Sequence, residues 1–264
     1  MQYFQNPWSK KEKNKNKASY HVKQMNERYP DEIDNAFNKS IVYGVQAKKP
    51  TVYKKKNNIP CIVSIDNILA SDAIFKFKSK YENDKVAVLN FASYKNPGGQ
   101  FLNGSMAQEE ALCHDSTLYN VLVQFDDYYN WNRLNLNKAL YKDRAIYSPD
   151  IIFMDKNRTF SVDVITCAAP NYGAASKYCH VSKKENDAVL KQRIDFVFSI
   201  AIENNVDRLI LGAWGAGVFK QDPYTVANFF KEAITDYRYH FKEIFFAIPR
   251  GRNGNYDIFS NILM

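Results

Sequence analysis

The sequence has no apolar run long enough to span a membrane, and it contains only four cysteines and four histidines among 264 residues. A membrane-spanning helix needs about 20 consecutive, mostly apolar residues, so we do not expect one. No cysteine belongs to a CxxC pair or to a cysteine–histidine pattern with metal-ligand spacing. We therefore expect reduced thiols, no metal site and no cofactor; the cysteines are Cys61, Cys113, Cys167 and Cys179.

The first residues do not resemble a secretory signal. They read MQYFQNPWSKKEK, which has no apolar core. This start predicts a cytoplasmic protein, or a nuclear one if the source is eukaryotic. With 45% hydrophobic and 15% aromatic residues, the chain can bury a substantial core, and its length suits one large domain.

Acidic residues are scarcer than basic ones, with 28 Asp and Glu against 36 Lys and Arg, which leaves a net charge of +8. Two explanations stay open. The lysines either form a solvated surface or attract a polyanion, for example a nucleic acid. Aromatic residues are not regularly spaced among them, as they would be on a surface that binds single strands. The charge alone does not determine function; the basic runs are Lys10–Lys17 and Lys48–Lys56.

Short β-branched runs alternate with amphipathic segments, which is typical of an α/β fold. The β-α-β order between residues 62 and 89 favours a parallel strand pair. Helical patterns cover residues 18–43, with an interruption at Pro30, and about 68–80, 106–122, 130–142 and 186–204. The predicted strands are Ile62–Ile65, Val86–Leu89, Ile151–Met154, Val162–Thr166, Arg208–Leu211 and Ile244–Ile248, with a polar turn at Asp155–Arg158 between two of them.

A glycine turn follows the strand at Val86–Leu89. Gly98 and Gly99 permit backbone angles that other residues avoid, so a tight turn is predicted there. Ser105 and Gln108 have the spacing of a capping box, which places the start of the next helix at Ser105.

Two adjacent glutamates, Glu109 and Glu110, fall in the first turns of that helix. Successive helical residues are about 100° apart, so we expect one carboxyl group to reach back toward the glycine turn and the other to point elsewhere. Acidic residues near a helix N-terminus also interact favourably with the helix dipole. Residue type alone therefore leaves a structural and a catalytic role open.

A second glycine-rich loop, Gly212–Phe219, connects a strand to a helix that begins with Asp222 as N-cap and Pro223 at the first helical position. Such a loop presents backbone N–H groups that can cradle a diphosphate. Its GxxGxG spacing differs from the GxGxxG dinucleotide fingerprint, and no GK[ST] of a P-loop is present. Alone, the loop is a weak signal, and close packing is the alternative explanation.

Three further residues lie where strands run into loops. Asp66 follows the first predicted strand, where an N-cap is the ordinary explanation. Pro170 and Asn171 follow a run of small residues, and either structural packing or site lining explains them.

These stretches resemble the bacterial-type poly(ADP-ribose) glycohydrolases, a branch of the macrodomain superfamily. The match lies in N-P-G-G-x-F-L-N-G-x-x-A-Q-E-E-A-L-C, D-V-I-T-x-A-A-P-N and G-A-W-G-x-G-V-F-x-x-D-P, which lie between Asn96 and Pro223. The resemblance as a whole covers about residues 20 to 250. The first string is similar to the GGG-x6-8-QEE signature of that family. Agreement of three separated motifs in order and spacing makes coincidence a poor explanation.

The resemblance implies a macrodomain-like three-layer α/β/α sandwich with a central mixed sheet and an N-terminal helical extension. We expect a basic, loosely ordered segment over residues 1–18, the helical extension packed on the core over 19–60, and the catalytic domain over 61–264. The implied partners are poly(ADP-ribose) or ADP-ribosylated proteins, with ADP-ribose as product. Neither a membrane nor a nucleic acid is expected as the primary ligand.

The resemblance also implies roles for individual residues. Glu110 would be the catalytic acid and base in hydrolysis of the ribose–ribose bond, Glu109 would orient the ribose hydroxyls or the leaving unit, and Gln108 would support them. Asp66 would accept a hydrogen bond from the adenine amino group. The remaining substrate-binding residues would be Asn96, Gly98, Gly99 and Gln100 at the distal ribose, and Gly215, Ala216, Gly217, Val218 and Phe219 at the diphosphate and distal ribose.

Two positions depart from the family pattern. Gln100 stands where the signature has its third glycine, and it could crowd the distal ribose or block the turn, because glutamine tolerates positive φ poorly. Ala216 stands where many relatives have cysteine. These departures keep two alternatives open, a non-catalytic ADP-ribose-binding macrodomain and a mono-ADP-ribosyl hydrolase. A basic nucleic-acid-binding protein is a third, which steeply salt-dependent binding of DNA or RNA would support.

Overall fold

A mixed β-sheet forms the centre of the protein. The computed structural model describes residues 7–45, 48, 51, 57–156 and 158–264. Within these residues the sheet has seven strands in the order β1-β4-β5-β3-β6-β7-β2. The pairs β1–β4 and β4–β5 are antiparallel, and the other pairs are parallel. The strands are β1 Ile41–Gly44, β2 Ile62–Asp66, β3 Val86–Phe91, β4 Arg144–Asp155, β5 Arg158–Cys167, β6 Arg208–Leu211 and β7 Glu243–Ala247.

Helices cover both faces of the sheet, so the expected three-layer α/β/α arrangement is confirmed. Alternate residues of β3 enter opposite cores, because successive side chains of a strand point to opposite faces. Val86 and Val88 pack with the helices on one side, and Ala87 and Leu89 with those on the other. The helices are α1 Pro7–Arg28, α2 Pro30–Lys39, α3 Ala70–Lys80, α4 Gln108–His114, α5 Leu118–Leu122, α6 Asp126–Leu134, α7 Tyr172–Cys179, α8 Lys183–Glu203, α9 Pro223–Tyr237 and α10 Asn255–Leu263.

The local predictions hold best where one short pattern determines the element. Strand β6 has the predicted bounds, and β4 and β5 form a hairpin around the predicted polar turn. Helix α9 begins as predicted, with the Asp222 side chain accepting a hydrogen bond from the N–H of Thr225 and with Pro223 at the first helical position. No helix in the described part of the chain is long and apolar enough to cross a membrane.

The predicted pairing of β2 with β3 is wrong. The two strands are parallel, but β6 and β7 lie between them. The β-α-β order determines strand direction, whereas the neighbour of each strand depends on where the later part of the chain packs. Here the two late strands fill the space between the two early ones.

The prediction of a loosely ordered segment over residues 1–18 is wrong for residues 7–18, which belong to α1; residues 1–6 lie outside the described residues. Most residues of this segment are good helix formers, and tertiary contacts fix it. Ala18 and Met25 are buried in the core. The Lys11 carbonyl lies against Gly104, where an added Cβ would be 2.3 Å from the Lys11 oxygen.

The predicted extension over residues 19–60 is not purely helical, because β1 forms an edge strand of the sheet against β4. Of the basic run Lys48–Lys56, only residues 48 and 51 are described. The domain boundary between residues 60 and 61 stays a prediction.

The helix predicted over 106–122 is interrupted at residues 115–117. There the backbone hydrogen-bonds to β4 instead, with Met154 N–H donating to the Asp115 carbonyl (2.8 Å) and Thr117 N–H donating to the Ile152 carbonyl (3.0 Å). The segment predicted as helical over 130–142 is also wrong in its bounds. Helix α6 already begins at Asp126, because acidic residues are favourable at a helix N-terminus.

Candidate active site

A cleft lies at the carboxyl ends of the parallel strands, where ligands bind in open α/β sheets. It consists of two adjoining cavities of about 240 and 260 Å³, which share wall residues from β3, the start of α4, the loop after β6 and the start of α10. One cavity continues toward Leu69, Ile248 and Pro249, and the other toward the loop at Gly215–Phe219. The shared residues are Phe91, Ala107, Gln108, Ala213 and Asn255.

The glycine turn after β3 requires both of its glycines. Gly98 and Gly99 have φ angles of +63° and +60°, in the left-handed region that favours glycine. An added Cβ at Gly98 would lie 2.6 Å from the ring of Tyr119. At Gly99 it would lie 2.6 Å from Glu110 Oε1 and 2.8 Å from Glu109 Oε2. The turn therefore rests directly on the two carboxyl groups.

Gln100 does not strain the turn. Its φ of −112° is an ordinary value for any residue, so the expected obstruction of the backbone is absent. The Gln100 N–H donates to Glu110 Oε1 at 2.9 Å. Its exposed side chain accepts a hydrogen bond from Asn103 Nδ2 at 2.8 Å.

Gln108 holds the start of α4 against the end of β3. Its Oε1 accepts a hydrogen bond from the Phe91 N–H (2.8 Å), and its Nε2 donates to the Leu89 carbonyl (2.9 Å). The predicted capping box from Ser105 to Gln108 is wrong, because α4 begins at Gln108 with Ala107 as N-cap. The side chain that reaches back to the cap is that of Glu110.

The Glu110 carboxyl group is buried, with 5% of the residue exposed, and backbone N–H groups fix both of its oxygens. Oε1 accepts from Gln100 and Oε2 accepts from Ala107, each at 2.9 Å. Two hydrogen bonds from backbone donors leave this carboxyl group little freedom to rotate. It therefore has a defined position beneath Gly99.

The Glu109 carboxyl group is also buried beneath the turn, so the expectation that only one glutamate reaches the turn is wrong. Its Oε2 accepts from the Ser93 N–H (2.7 Å), and its Oε1 accepts from Asn90 Nδ2 (3.2 Å). Burial raises the pKa of Glu109 to about 8, although the hydrogen bonds from Ser93 and Asn90 act in the opposite direction. Glu109 is therefore mostly protonated at neutral pH.

The raised pKa of Glu109 predicts a pH-dependent stability. Between its ordinary pKa of 4.5 and about 8, the folded state holds a proton that the unfolded state releases. The free energy of unfolding then falls as pH rises through this window, by at most about 1.4 kcal/mol per pH unit for one proton. We expect Glu109→Gln to remove this pH dependence. The measurement is the free energy of unfolding from urea unfolding, compared between wild type and variant at each pH from 5 to about 8.

Glu109→Gln is a suitable probe because its new amide can be satisfied. Asn90 Oδ1 has no hydrogen-bond partner among the described residues, so Asn90 can turn its amide and accept from the glutamine NH₂. The comparison also cancels the contribution of other carboxyl groups with raised pKa values, such as the buried Asp163 and the partly buried Asp115, because desolvation raises those pKa values in both proteins. If the free energy of unfolding had the same pH dependence in the wild type and in Glu109→Gln, the raised pKa of Glu109 would be contradicted.

The loop after β6 presents its backbone to the second cavity. Gly215 has a φ of +77°, and an added Cβ would lie 2.9 Å from Gln221 Cγ and 3.0 Å from Ala169 Cβ. At Gly217 an added Cβ would meet nothing within 4 Å, because this residue faces open space. Val218 is 81% exposed, and Phe219 is half-buried with its ring edge toward Tyr141.

Pro170 and Asn171 support this loop rather than line the cleft. The Asn171 side chain caps α7 by accepting from the Ala174 N–H (3.1 Å). The Pro170 carbonyl accepts from Gln221 Nε2 (2.8 Å), and Gln221 in turn pairs its amide with that of Asn186. Sequence reasoning missed this buried amide pair because its members are 35 residues apart.

Asp66 lies at the end of β2, but it caps no helix, because α3 begins at Ala70. Its carboxylate forms an ion pair with Lys76 (2.9 Å) and accepts from the Asn67 N–H (2.8 Å). The hydrogen bond from Lys76 lowers the pKa of Asp66. The residue is outside the walls of the two cavities, so its adenine role stays a prediction.

Asn96 lies at the first position of the glycine turn. Its N–H donates to Ser93 Oγ (3.2 Å), and its carbonyl accepts from the Gly99 N–H (3.1 Å).

Among the described residues, no group of three or more His, Cys, Asp or Glu side chains is placed to hold a metal ion.

Several wall residues of the cleft were not predicted as site residues, among them Phe91, Leu69 and Asn255. Phe91 lies two residues after the predicted strand Val86–Leu89, and that position was the available signal. Asn255 has no local signal, because it joins the cleft through the packing of α10 on α9 and β2.

Comparison with known proteins shows which family the chain is similar to. The family model for the catalytic domain of microbial-type poly(ADP-ribose) glycohydrolase (PARG) matches residues 10–156. The structure resembles PARG from Thermomonospora curvata with a TM-score of 0.85 and 25% identity, covering 95% of this chain and 99% of that chain. PARG from Deinococcus radiodurans in complex with ADP-ribose has a TM-score of 0.78 and 28% identity, covering 88% and 96%. No curated protein gives a significant sequence match.

Proposed function

The chain belongs to the microbial-type poly(ADP-ribose) glycohydrolase family, and we propose that it hydrolyses the ribose–ribose O-glycosidic bonds of poly(ADP-ribose) with Glu110 as general acid and base. The observation that carries this proposal is the fixed Glu110 carboxyl group beneath the Gly98–Gly99 turn, at the ligand-binding edge of the sheet. A protein that only binds ADP-ribose has no chemical need for a carboxyl group held in this way.

The shape of the cleft supports ADP-ribose as the bound unit. The cavity bounded by Leu69, Phe91 and Pro249 is mostly apolar and suits the adenine. The loop at Gly215–Phe219 can offer backbone N–H groups to the diphosphate. The distal ribose then lies at the glycine turn. That D. radiodurans PARG was solved in complex with ADP-ribose supports ADP-ribose as the bound unit.

In the proposed mechanism Glu110 transfers a proton twice. Its carboxyl group first protonates the oxygen that leaves from the distal ribose, as positive charge develops at the anomeric carbon. The resulting carboxylate then takes a proton from the attacking water. The substrate diphosphate could stabilise the developing cation electrostatically.

Glu109 assists without adding charge. Because burial keeps it mostly protonated, Glu109 itself adds no full negative charge to the site at neutral pH. Its carboxyl group can instead orient a ribose hydroxyl or the leaving unit, while Gln108 holds the start of α4 on β3.

The test is to incubate the purified protein with poly(ADP-ribosyl)ated protein and to measure released ADP-ribose by chromatography. Release of ADP-ribose is expected. Calorimetric binding of ADP-ribose without release would instead indicate a binding module. Release from mono-ADP-ribosylated protein alone would indicate the mono-ADP-ribosyl hydrolase.

The diphosphate assignment gives a separate prediction at Gly217. Gly217→Ala is expected to leave the melting temperature unchanged, because the new methyl group meets no protein atom within 4 Å. It should weaken ADP-ribose binding about tenfold, since the methyl group would occupy the space in which the loop approaches the phosphates. Calorimetry measures the affinity, with Gly251→Ala as a control that also meets no atom within 4 Å but lies outside the loop. Unchanged affinity would contradict the assignment.

A further inference from the structure

A groove of about 450 Å³ lies beside the glycine turn, outside the two cavities of the cleft. One wall is the first part of α1, with Lys10, Lys11 and Asn14, and the other is the segment from Gln100 to Met106. We call this the α1 groove. None of the described residues that line it is acidic.

The α1 groove carries positive charge that no described carboxylate neutralises. Lys10 and Lys11 are exposed, and no ion pair links either of them to a described residue. Exposed ammonium groups beside polar amides are a suitable environment for phosphate oxygens. The opposite wall supplies side-chain amides from Gln100 and Asn103.

Close backbone packing preforms the groove. Helix α1 contacts the turn at Gly104, where an added Cβ would lie 2.3 Å from the Lys11 carbonyl oxygen and 3.2 Å from Lys15 N. Ala18, one turn further along α1, is buried in the core. The two lysines are therefore held beside the turn by the fold itself.

Gln100 connects the groove to the reacting centre. Its backbone N–H binds Glu110 Oε1, while its side chain lines the groove and pairs with Asn103. That pairing uses the Gln100 oxygen and leaves the Gln100 NH₂ as a donor. Gln100, which departs from the glycine signature, is thus part of both the groove wall and the glycine turn over Glu110.

We propose that the α1 groove binds the phosphates of the poly(ADP-ribose) unit next to the one in the cleft, on the leaving side of the bond that is cleaved. This inference rests on the proposed glycohydrolase activity. Each unit of the polymer carries a diphosphate, so the substrate supplies negative charge that can pair with Lys10 and Lys11. Lys10, Lys11 and the Gln100 amide contact this diphosphate and raise the affinity for polymer, and they take no part in bond cleavage.

The experiment compares two double variants of α1. Lys10→Gln/Lys11→Gln removes the charge from the groove, whereas Lys13→Gln/Lys17→Gln removes the same charge from residues of the same helix outside the groove. Lysine and glutamine have similar helix propensities, so both variants retain α1. Each protein is assayed with poly(ADP-ribose) and with an aryl glycoside of ADP-ribose, in which a phenol replaces the leaving unit and its phosphates.

We expect the groove variant to raise KM for poly(ADP-ribose) about five- to tenfold at low salt, with kcat unchanged. Its kcat/KM for the aryl glycoside should stay within about twofold of wild type, because that substrate has no phosphate on the leaving side. The control variant should stay within about twofold on both substrates. The difference should disappear near 1 M salt, where the screening length is about 3 Å.

Equal losses in both double variants, or no loss in either, would overturn the groove assignment. A fall in kcat/KM of the Lys10→Gln/Lys11→Gln variant on the aryl glycoside would also overturn it. Failure of the wild-type protein to cleave either substrate would contradict the glycohydrolase function itself, so the two proposals fail in different ways.

Discussion

Glu110→Ala is expected to reduce ADP-ribose release from poly(ADP-ribose) by about 10²- to 10⁴-fold, the usual contribution of a general acid or base. The variant removes the carboxyl group that must protonate the leaving oxygen and activate the water. The measurement is kcat at saturating polymer, together with calorimetric ADP-ribose affinity. We expect binding to persist, because the walls of the two cavities do not include Glu110.

Folding controls are needed for this prediction, because Glu110→Ala leaves the N–H groups of Gln100 and Ala107 without their acceptor. A buried donor without a partner costs about 1–3 kcal/mol. Glu110→Gln retains one acceptor oxygen and should be equally inactive with a smaller loss of melting temperature. Glu109→Gln, the adjacent buried carboxyl group, should lose less activity. A folded Glu110→Ala protein with near wild-type kcat would exclude Glu110 as the acid.

The second large effect is expected for Gly99→Ala. The new methyl group would lie 2.6 Å from Glu110 Oε1 and 2.8 Å from Glu109 Oε2, and the residue would have to keep a φ of +60°. Either the turn or both carboxyl groups must move, and displacement of catalytic groups by about 1 Å can reduce the rate about 10²-fold. We expect a loss of about that size in kcat, together with about 1–2 kcal/mol of stability from the left-handed backbone.

Gly251→Ala is the matched control, because its added Cβ meets nothing within 4 Å. It should change neither kcat nor melting temperature appreciably. Kinetics and thermal unfolding on the same preparations separate the two consequences of Gly99→Ala. Wild-type kcat in a folded Gly99→Ala protein would show that the position of the turn over the glutamates is unimportant for catalysis.

Much of the candidate site could be predicted from residues close together in the sequence. Gly98 and Gly99 imply a tight turn because only glycine takes positive φ without strain, and both have it. Gln108, Glu109 and Glu110 follow at a fixed spacing, which predicts a helix start near the turn, although only one of the two carboxyl groups was predicted to reach it. The cap at Asp222 and the bounds of β6 follow from equally local patterns.

Other features arise only when distant segments pack. The strands β6 and β7 enter between β2 and β3, which no local pattern encodes. The ordinary φ of Gln100 depends on how the turn closes against Glu110. Phe91 and Asn255 become neighbours in one cavity although 163 residues separate them.

The sequence by itself determined which groups are available for the chemistry: a glycine turn, two carboxyl groups, a glycine-rich loop and a basic run near the N-terminus. The tertiary structure decided their states and neighbours. Both glutamates lie beneath the turn because Gln108 fastens α4 to β3, and burial there raises the pKa of Glu109. Likewise α1 meets the turn through Gly104. Propensity and capping act over a few residues, whereas burial and long-range hydrogen bonds depend on the whole fold.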